Sequence, residues 1–76
     1  MILGRTTRRL HEADELTDRE LDVLRLLDEG RTKRDIGRTL FLSYNTIHSH
    51  TKSIYRKLDA TSREEALAQA RELELI

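Results

Sequence analysis

Residues 32 to 58 constrain the fold of this chain most strongly, because they carry the signals of two short helices joined by a tight turn. Thr32 can cap the first helix by accepting a hydrogen bond from an unpaired backbone N–H, and Ile36 and Leu40 lie four residues apart on one face. Ser43 begins the second helix. The first helix is too short to be stable alone, so the pair must pack against other parts of the chain.

The second helix has two unlike faces when its residues are laid out at about 100° each. Its apolar positions fall in one narrow arc, which indicates a buried stripe: Ile47, Thr51, Ile54 and Leu58. The opposite arc contains polar side chains, none of them acidic: Asn45, His48, Ser49, Lys52 and Arg56. A helix that contacts base edges and phosphates requires such a face, but a face rich in Lys and Arg is usually only solvated. Both interpretations stay open on this pattern alone.

Charge is distributed unevenly along the chain, although its formal net charge is zero. Residues 31 to 58 contain 7 basic residues and 1 acidic residue, whereas residues 1 to 30 contain 5 and 8, and residues 59 to 76 contain 2 and 5. A positive field confined to the two-helix unit suits a phosphate backbone, where binding displaces counterions. The alternative is that a short segment is basic by chance. The charge pattern therefore favours binding to nucleic acid.

Length and composition limit the remaining possibilities. A chain of 76 residues is one small domain, which buries about 60% of its unfolded surface. The absence of cysteine excludes disulfides and thiolate metal sites, and no apolar run approaches the length of a membrane span. The basic residues Arg5, Arg8 and Arg9 follow the short apolar start, whereas a secretory signal would place them first. We therefore expect a cytoplasmic protein.

Two further helices flank the central pair. Thr17 and Glu20 predict a capping box at the start of the first, and Gly30 stands where a left-handed residue can end it. Ser62 and Glu65 predict a second capping box and a last helix. The sequence thus predicts an all-α, compact four-helix bundle with a central helix-turn-helix and helices at about 17–29, 32–40, 43–58 and 62–73. Residues 1–15 show no sustained period and are expected to form a linker or disordered arm, which leaves 16–76 as the domain.

Four ordered motifs cover most of this domain: Leu16-Thr17-x-Arg19-Glu20-x-x-Val23-Leu24, Ile36-x-x-x-Leu40, Ser43-x-x-Thr46-Ile47-x-x-His50, and Ile54-Tyr55-x-Lys57-Leu58. Together they resemble the LuxR/FixJ-type (GerE-like) helix-turn-helix of bacterial transcriptional regulators, with the spacings intact over residues 16 to 73. The resemblance implies that the third helix lies in the major groove of DNA and that the fourth pairs with its counterpart in a dimer. It further implies sequence-specific binding to double-stranded DNA, with two copies on an inverted repeat, as the output domain of a regulator.

The resemblance assigns base contacts to the outward face of the third helix. The family usually has Lys directly after the Thr-Val or Thr-Ile pair, and here that residue is His48. A neutral imidazole offers one donor and one acceptor, so His48 should weaken electrostatic binding and change the base preference, unless it binds as a cation. Ser49 and Lys52 occupy the other base-contacting positions, and Lys52 can donate to guanine O6 or N7.

Phosphate contacts and a dimer interface are carried over in the same way. The phosphate-contacting positions lie at the start of the second helix, in the first turn of the third and near its far end: Lys33, Arg34, Asn45, Thr46, Arg56 and Lys57. In the last helix Ala66, Ala70 and Leu73 are expected in the core, which leaves Leu67, Arg71 and Glu74 as the candidate homodimer interface. RNA polymerase is a further candidate partner.

Other functional classes remain as alternatives. An enzyme is disfavoured because the chain has no cysteine, no Gly-rich phosphate loop and no obvious room for a substrate cleft, so no catalytic residue, metal or cofactor is expected. A protein-interaction module would use the last helix as its partner surface. Region 4 of bacterial sigma factors, which contacts promoters, is also similar around the first helix and the Ile36-x-x-x-Leu40 unit, whereas residues 54–58 and 62–66 favour the LuxR type.

Overall fold

Residues 15–76, the part of the chain that this computed structural model describes, form four α-helices joined by short turns. These are α1 (Asp18–Asp28), α2 (Lys33–Leu40), α3 (Tyr44–Lys57) and α4 (Arg63–Glu72), and this part of the chain contains no strand. The all-α prediction is confirmed, and each helix begins and ends within one residue of its predicted bounds. The predicted N-terminal arm, apart from Glu15, lies outside the described residues. None of the four helices is long and apolar enough to cross a lipid bilayer.

Side-chain caps explain where the helices begin. At α1 the Thr17 hydroxyl accepts from the Glu20 N–H at 3.1 Å, and the Thr17 N–H donates to the Glu20 carboxylate at 2.9 Å, so the predicted capping box is confirmed. Only one of the two hydrogen bonds of the second predicted capping box forms, so the prediction is wrong for the Glu65 carboxylate. Ser62 accepts from the Glu65 N–H, but Glu65 Oε1 accepts from the N–H and the hydroxyl of Thr61, at 2.7 and 2.9 Å. The carboxylate reaches one residue further back and fixes the turn before α4.

Left-handed residues end α1 and α2. Gly30 has a φ of 87°, and its N–H donates to the Leu27 carbonyl while the Arg31 N–H donates to the Leu26 carbonyl. This is the Schellman arrangement, and it confirms Gly30 as a helix stop. Phe41 takes the same conformation after α2, with a φ of 60°, and its side chain is 93% exposed. A bulky residue there is unusual, so the turn between α2 and α3 is held by its surroundings.

The helices pack around one apolar core, with α3 in contact with all three of the others and most extensively with α1 and α2. The predicted stripe of α3 is buried, since Ile47, Ile54 and Leu58 are at most 2% exposed. Thr51 belongs to the same stripe, and its hydroxyl donates to the Ile47 carbonyl at 2.8 Å, so burial leaves no polar group unpaired there. From the other helices the core takes Val23, Leu24, Leu27, Ile36, Ala66 and Ala70.

Gly37 allows the turn to fold back closely onto α2. A Cβ at this position would lie 2.6 Å from the backbone oxygen of Leu42, nearer than a carbon and a carbonyl oxygen approach in proteins. The Leu42 N–H also donates to the Gly37 carbonyl at 2.8 Å, which ties the turn to the helix. Gly destabilises a helix by about 1 kcal/mol relative to Ala, but here it allows a close backbone approach that Ala would prevent.

Candidate nucleic-acid interface

The polar arc of α3 lies on the surface, opposite the buried stripe. Its five members, Asn45, His48, Ser49, Lys52 and Arg56, are all exposed. The structure thus brings the predicted base-contacting residues, His48, Ser49 and Lys52, onto one open face of a single 14-residue helix. We call these five residues the outward face of α3.

A polar cluster between the outward face and the buried stripe of α3 holds this helix against α1. Glu20 is only 4% exposed, and its carboxylate accepts from the Ser53 hydroxyl at 2.7 Å and from the Lys57 ammonium at 2.8 Å. Burial alone would raise the pKa of the Glu20 carboxyl, but hydrogen bonds from Lys57, the Thr17 backbone and Ser53 hold it below its ordinary value. The Glu20 carboxylate is therefore charged, and both of its oxygens accept hydrogen bonds from groups within the fold. We call Glu20, Ser53 and Lys57 the inner cluster.

The inner cluster gives Lys57 an ion pair that the sequence did not predict. Its side chain is 13% exposed, and its ammonium donates to the Glu20 carboxylate and, at 3.1 Å, to the Glu15 carbonyl. At about 100° a residue, Lys57 also lies roughly 140° around the helix from Lys52. An ammonium placed in this way joins two helices, so Lys57 has a structural role within the fold, and its phosphate contact stays a prediction.

The first turn of α3 is arranged to donate hydrogen bonds outward. The Ser43 oxygen accepts from the Thr46 N–H at 3.1 Å, and its hydroxyl donates to the Thr46 side-chain oxygen at 2.9 Å. The hydroxyl hydrogen of Thr46 is thereby left to donate elsewhere. The N–H groups of Tyr44 and Asn45, as the first two of the helix, have no partner within it. These donors and the positive end of the helix dipole suit an anion.

The start of α2 lies beside the outward face of α3. The Lys33 ammonium is 3.4 Å from Nδ1 of His48, which joins a predicted phosphate-contacting residue to a predicted base-contacting one. Arg34, the next residue, is exposed. The sequence separation of 15 residues between Lys33 and His48 gives no sign of this contact, which depends on how α2 packs across α3.

Tyr44 belongs to the same group, and the sequence interpretation overlooked it. Its side chain is 54% exposed, and its ring lies nearly parallel to that of His48, with centroids 6.3 Å apart and an angle of 9° between the planes. An aromatic residue four positions before a histidine on one helix was the available signal, because residues at that spacing are neighbours on the helix surface.

Within residues 15–76, some basic side chains form ion pairs with carboxylates and others do not. Arg19, Arg25, Arg31, Arg38, Lys57 and Arg71 each lie within 4 Å of a carboxylate oxygen. In the same part of the chain no such pair engages Lys33, Arg34, Lys52 or Arg56. A fifth cation without an ion pair, Arg63 of α4, instead donates to the Leu27 carbonyl at 2.7 Å. The other four belong to α2 and α3, so the positive charge that no ion pair neutralises is concentrated on the helix-turn-helix.

The three residues of the predicted dimer interface occupy one arc of α4 and the turn after it, but they differ in availability. Leu67 is half-buried against the core, and Arg71 donates to the Asp28 carboxylate of α1. Glu74 is exposed, with a φ of 61° just beyond the end of the helix. Arg71 therefore stabilises the contact between α1 and α4 within one chain.

A comparison with known protein families matches residues 14–70 to the model described as bacterial regulatory proteins, luxR family. Among curated proteins, the transcriptional regulatory protein LiaR of Bacillus subtilis is 34% identical over an alignment of 82 positions, which covers 99% of this chain and 39% of LiaR. DesR of the same organism, also a transcriptional regulatory protein, is 34% identical over 61 residues, covering 80% of this chain and 31% of DesR. A putative HTH-type transcriptional regulator of Mycobacterium bovis is 40% identical over 55 residues, which cover 72% of this chain and 6% of that protein.

Among solved structures, the chain is similar to the crystal structure of the response regulator ChrA from a heme-sensing two-component system. The TM-score is 0.81 at 31% sequence identity, and the match covers 97% of this chain and 36% of ChrA. The chain therefore spans less than half the length of each of these relatives.

Proposed function

The chain belongs to the luxR family of bacterial regulatory proteins, and from that membership we propose that it binds double-stranded DNA sequence-specifically as the output domain of a transcription regulator. The observation that carries the proposal is the outward face of α3, where exposed donors and unpaired cations stand on a rigid helix. The relatives are named as transcriptional regulators, which agrees with this role.

Insertion of α3 into the major groove is supported by its length and by the way it is held. A helix of 14 residues is about 21 Å long, and the major groove is wide enough to admit an α-helix. The inner cluster and the buried stripe fix the rotation of α3 about its own axis, so that the outward face presents itself to a duplex. His48, Ser49 and Lys52 then contact base edges.

Phosphate contacts flank these base contacts on both sides. Lys33 and Arg34 donate from the start of α2, Asn45 and Thr46 from the first turn of α3, and Arg56 from near its end. Lys57 is left out of this set because its ammonium is engaged by Glu20. Three residues of this set, Lys33, Arg34 and Arg56, are cations, and each contact that they make with phosphate should lower the slope of log affinity against log salt by about 0.9.

We also propose a homodimer on an inverted repeat, with α4 and the following turn at the subunit contact. Leu67 and Arg71 lie one helical turn apart on α4, and Glu74 is exposed in the turn after it. A twofold dimer would place its two copies of α3 about one helical turn of DNA apart, roughly 10 base pairs, or a multiple of that. RNA polymerase is a candidate second partner of the DNA-bound dimer.

Selection of bound sites from random duplexes tests the specific function directly. We expect an enriched inverted repeat, and affinity that falls steeply with salt. Lys52→Met should reduce binding to the enriched site, whereas Arg25→Met, which removes an exposed cation from α1, serves as the matched control. A chain that ignores every duplex at low salt while capturing a protein partner through α4 would favour the protein-interaction module instead.

A further inference from the structure

The contact between Lys33 and His48 favours one of the two neutral tautomers of the His48 ring. The Lys33 ammonium can only donate, so at 3.4 Å it makes Nδ1 of His48 the acceptor. A neutral imidazole that accepts at Nδ1 carries its hydrogen on Nε2. The far tip of the ring therefore presents an N–H donor to whatever lies beyond the outward face of α3.

Tyr44 fixes the plane of that ring. Its own ring lies one helical turn before His48, nearly parallel to it at 9° and with a centroid separation of 6.3 Å, as in an offset stack. Lys33 approaches from α2 while Tyr44 lies on α3, so the imidazole is held by two elements of the helix-turn-helix. A side chain held in this way loses less freedom when it meets a base than a free lysine would.

A donor of fixed direction distinguishes bases by what they present in the major groove. Guanine offers the acceptors O6 and N7, and thymine offers O4, whereas cytosine offers only the N4 amino group, which also donates. Adenine offers N7 but places its N6 amino group beside it. A bound duplex should therefore place a keto base opposite His48.

We propose that Lys33 and Tyr44 are positioning residues that hold His48 as an Nε2–H donor, so that this position of the operator takes guanine or thymine, with guanine preferred. The proposal rests on the proposed DNA-binding function and adds to it the chemical class of one base. It also gives Lys33 a second role, since its ammonium has two further hydrogens left to donate to phosphate.

The first test needs no DNA and concerns the tautomer alone. We would record long-range ¹H–¹⁵N correlations of the histidine rings of the full chain, with the pH raised until the ring signals no longer shift. In the wild type the proton of His48 should lie on Nε2, and Lys33→Met should lower that fraction while the signals of His50 stay unchanged. A proton on Nδ1 of His48, or a fraction that Lys33→Met leaves unchanged, would overturn the proposal.

The second test concerns base preference and compares variants on selected sites. Tyr44→Leu and Lys33→Met should each reduce the preference for a keto base by about tenfold at one position and leave the others unchanged. The matched control is Arg34→Met, the adjacent cation, which should weaken all sequences alike. A preference for cytosine or adenine at the position that responds to His48→Ala would contradict the assignment.

The two tests also separate this inference from the function on which it rests. A wild-type chain that binds no duplex would refute the proposed function and the base preference together. The ring measurement would still decide whether Lys33 sets the tautomer of His48, because it is made on the free protein.

Discussion

Lys52 and Lys57 lie five residues apart on the same helix, yet the fold puts them to opposite uses. Lys52 is exposed on the outward face and has no carboxylate within ion-pair distance in the described part of the chain, whereas Lys57 is 13% exposed and paired with Glu20. The same contrast separates the inner cluster from the outward face. Ser53 and Lys57 already donate to Glu20 and hold the helix in place, while the donors of the outward face are left for a ligand. The two lysines carry the same charge. What distinguishes the candidate binding residue from the structural one is whether its ammonium already has partners within the fold.

Removing the carboxylate of the inner cluster should have the largest effect on the contrast. Glu20→Gln leaves the Lys57 ammonium nearly buried without a counter-charge, and we expect a loss of roughly 3 kcal/mol in the free energy of unfolding. Urea denaturation measures this change. Glu29→Gln, which alters an exposed carboxylate, should change stability by less than about 0.5 kcal/mol. Equal stability of Glu20→Gln and the wild type would show that the inner cluster does not hold α1 to α3.

Replacing each lysine in turn tests the contrast most directly. Lys57→Met should destabilise the fold by roughly 2 kcal/mol because it leaves Glu20 charged and unpaired, and the folded variant should retain most of its affinity for DNA. Lys52→Met should leave stability within about 0.5 kcal/mol of the wild type and weaken the best site by roughly 1 to 3 kcal/mol. Denaturation and fluorescence anisotropy on labelled duplexes measure the two effects. Loss of affinity without loss of stability in Lys57→Met would restore its predicted phosphate contact.

A variant of Arg56 tests a contrast within the outward face, between the residues proposed to contact bases and those proposed to contact phosphates. Arg56→Ala should weaken every duplex by a similar factor and flatten the slope of log affinity against log salt by about one. Its stability should match that of the wild type, because Arg56 is exposed and forms no ion pair among residues 15–76. Anisotropy titrations at several salt concentrations, on specific and random duplexes, provide the measurement. A loss confined to the selected site would instead make Arg56 a base-contacting residue.

The smallest expected effect is on how the free energy of unfolding depends on pH. The pKa of Glu20 is lower in the folded protein than its ordinary value, so its contribution to stability is fully present above that value and is lost as the pH falls through the folded pKa. Urea midpoints between about pH 7 and pH 3 should therefore fall less steeply in Glu20→Gln than in the wild type. The lowered pKa of Glu65 contributes in the same direction in both proteins and cancels in the difference. Parallel curves for the two proteins would contradict this role of Glu20.

Local signals in the sequence determined most of the secondary structure correctly. The capping box of Thr17 and Glu20, the stop at Gly30 and the caps at Thr32 and Ser43 all involve residues within a few positions of each other. Even here the reach of a side chain mattered. The Glu65 carboxylate accepts from the N–H of Thr61 and not from that of Ser62, because a flexible side chain can reach either of two neighbouring N–H groups and the spacing alone does not distinguish them.

The family was also identified from the sequence, since its motifs depend on the same local periodicities and on an ordered set of spacings. The resemblance to the LuxR type is confirmed by the match over residues 14–70. The assignment of individual side chains was less secure. Carrying roles over by position gave no sign that Lys57 pairs with Glu20, and it passed over Tyr44, whose ring stacks on that of His48.

The sequence alone therefore determined four helices, the buried stripe of α3 and the polar arc opposite it, because helix periodicity fixes which residues share a face. Only the tertiary structure decided that Glu20 meets Lys57 across 37 positions and that Lys33 meets His48 across 15. Such pairings depend on how α1 and α2 lie across α3, which is set by packing of the whole core. That packing places Lys57 in an ion pair with Glu20 and leaves Lys52 exposed on the outward face.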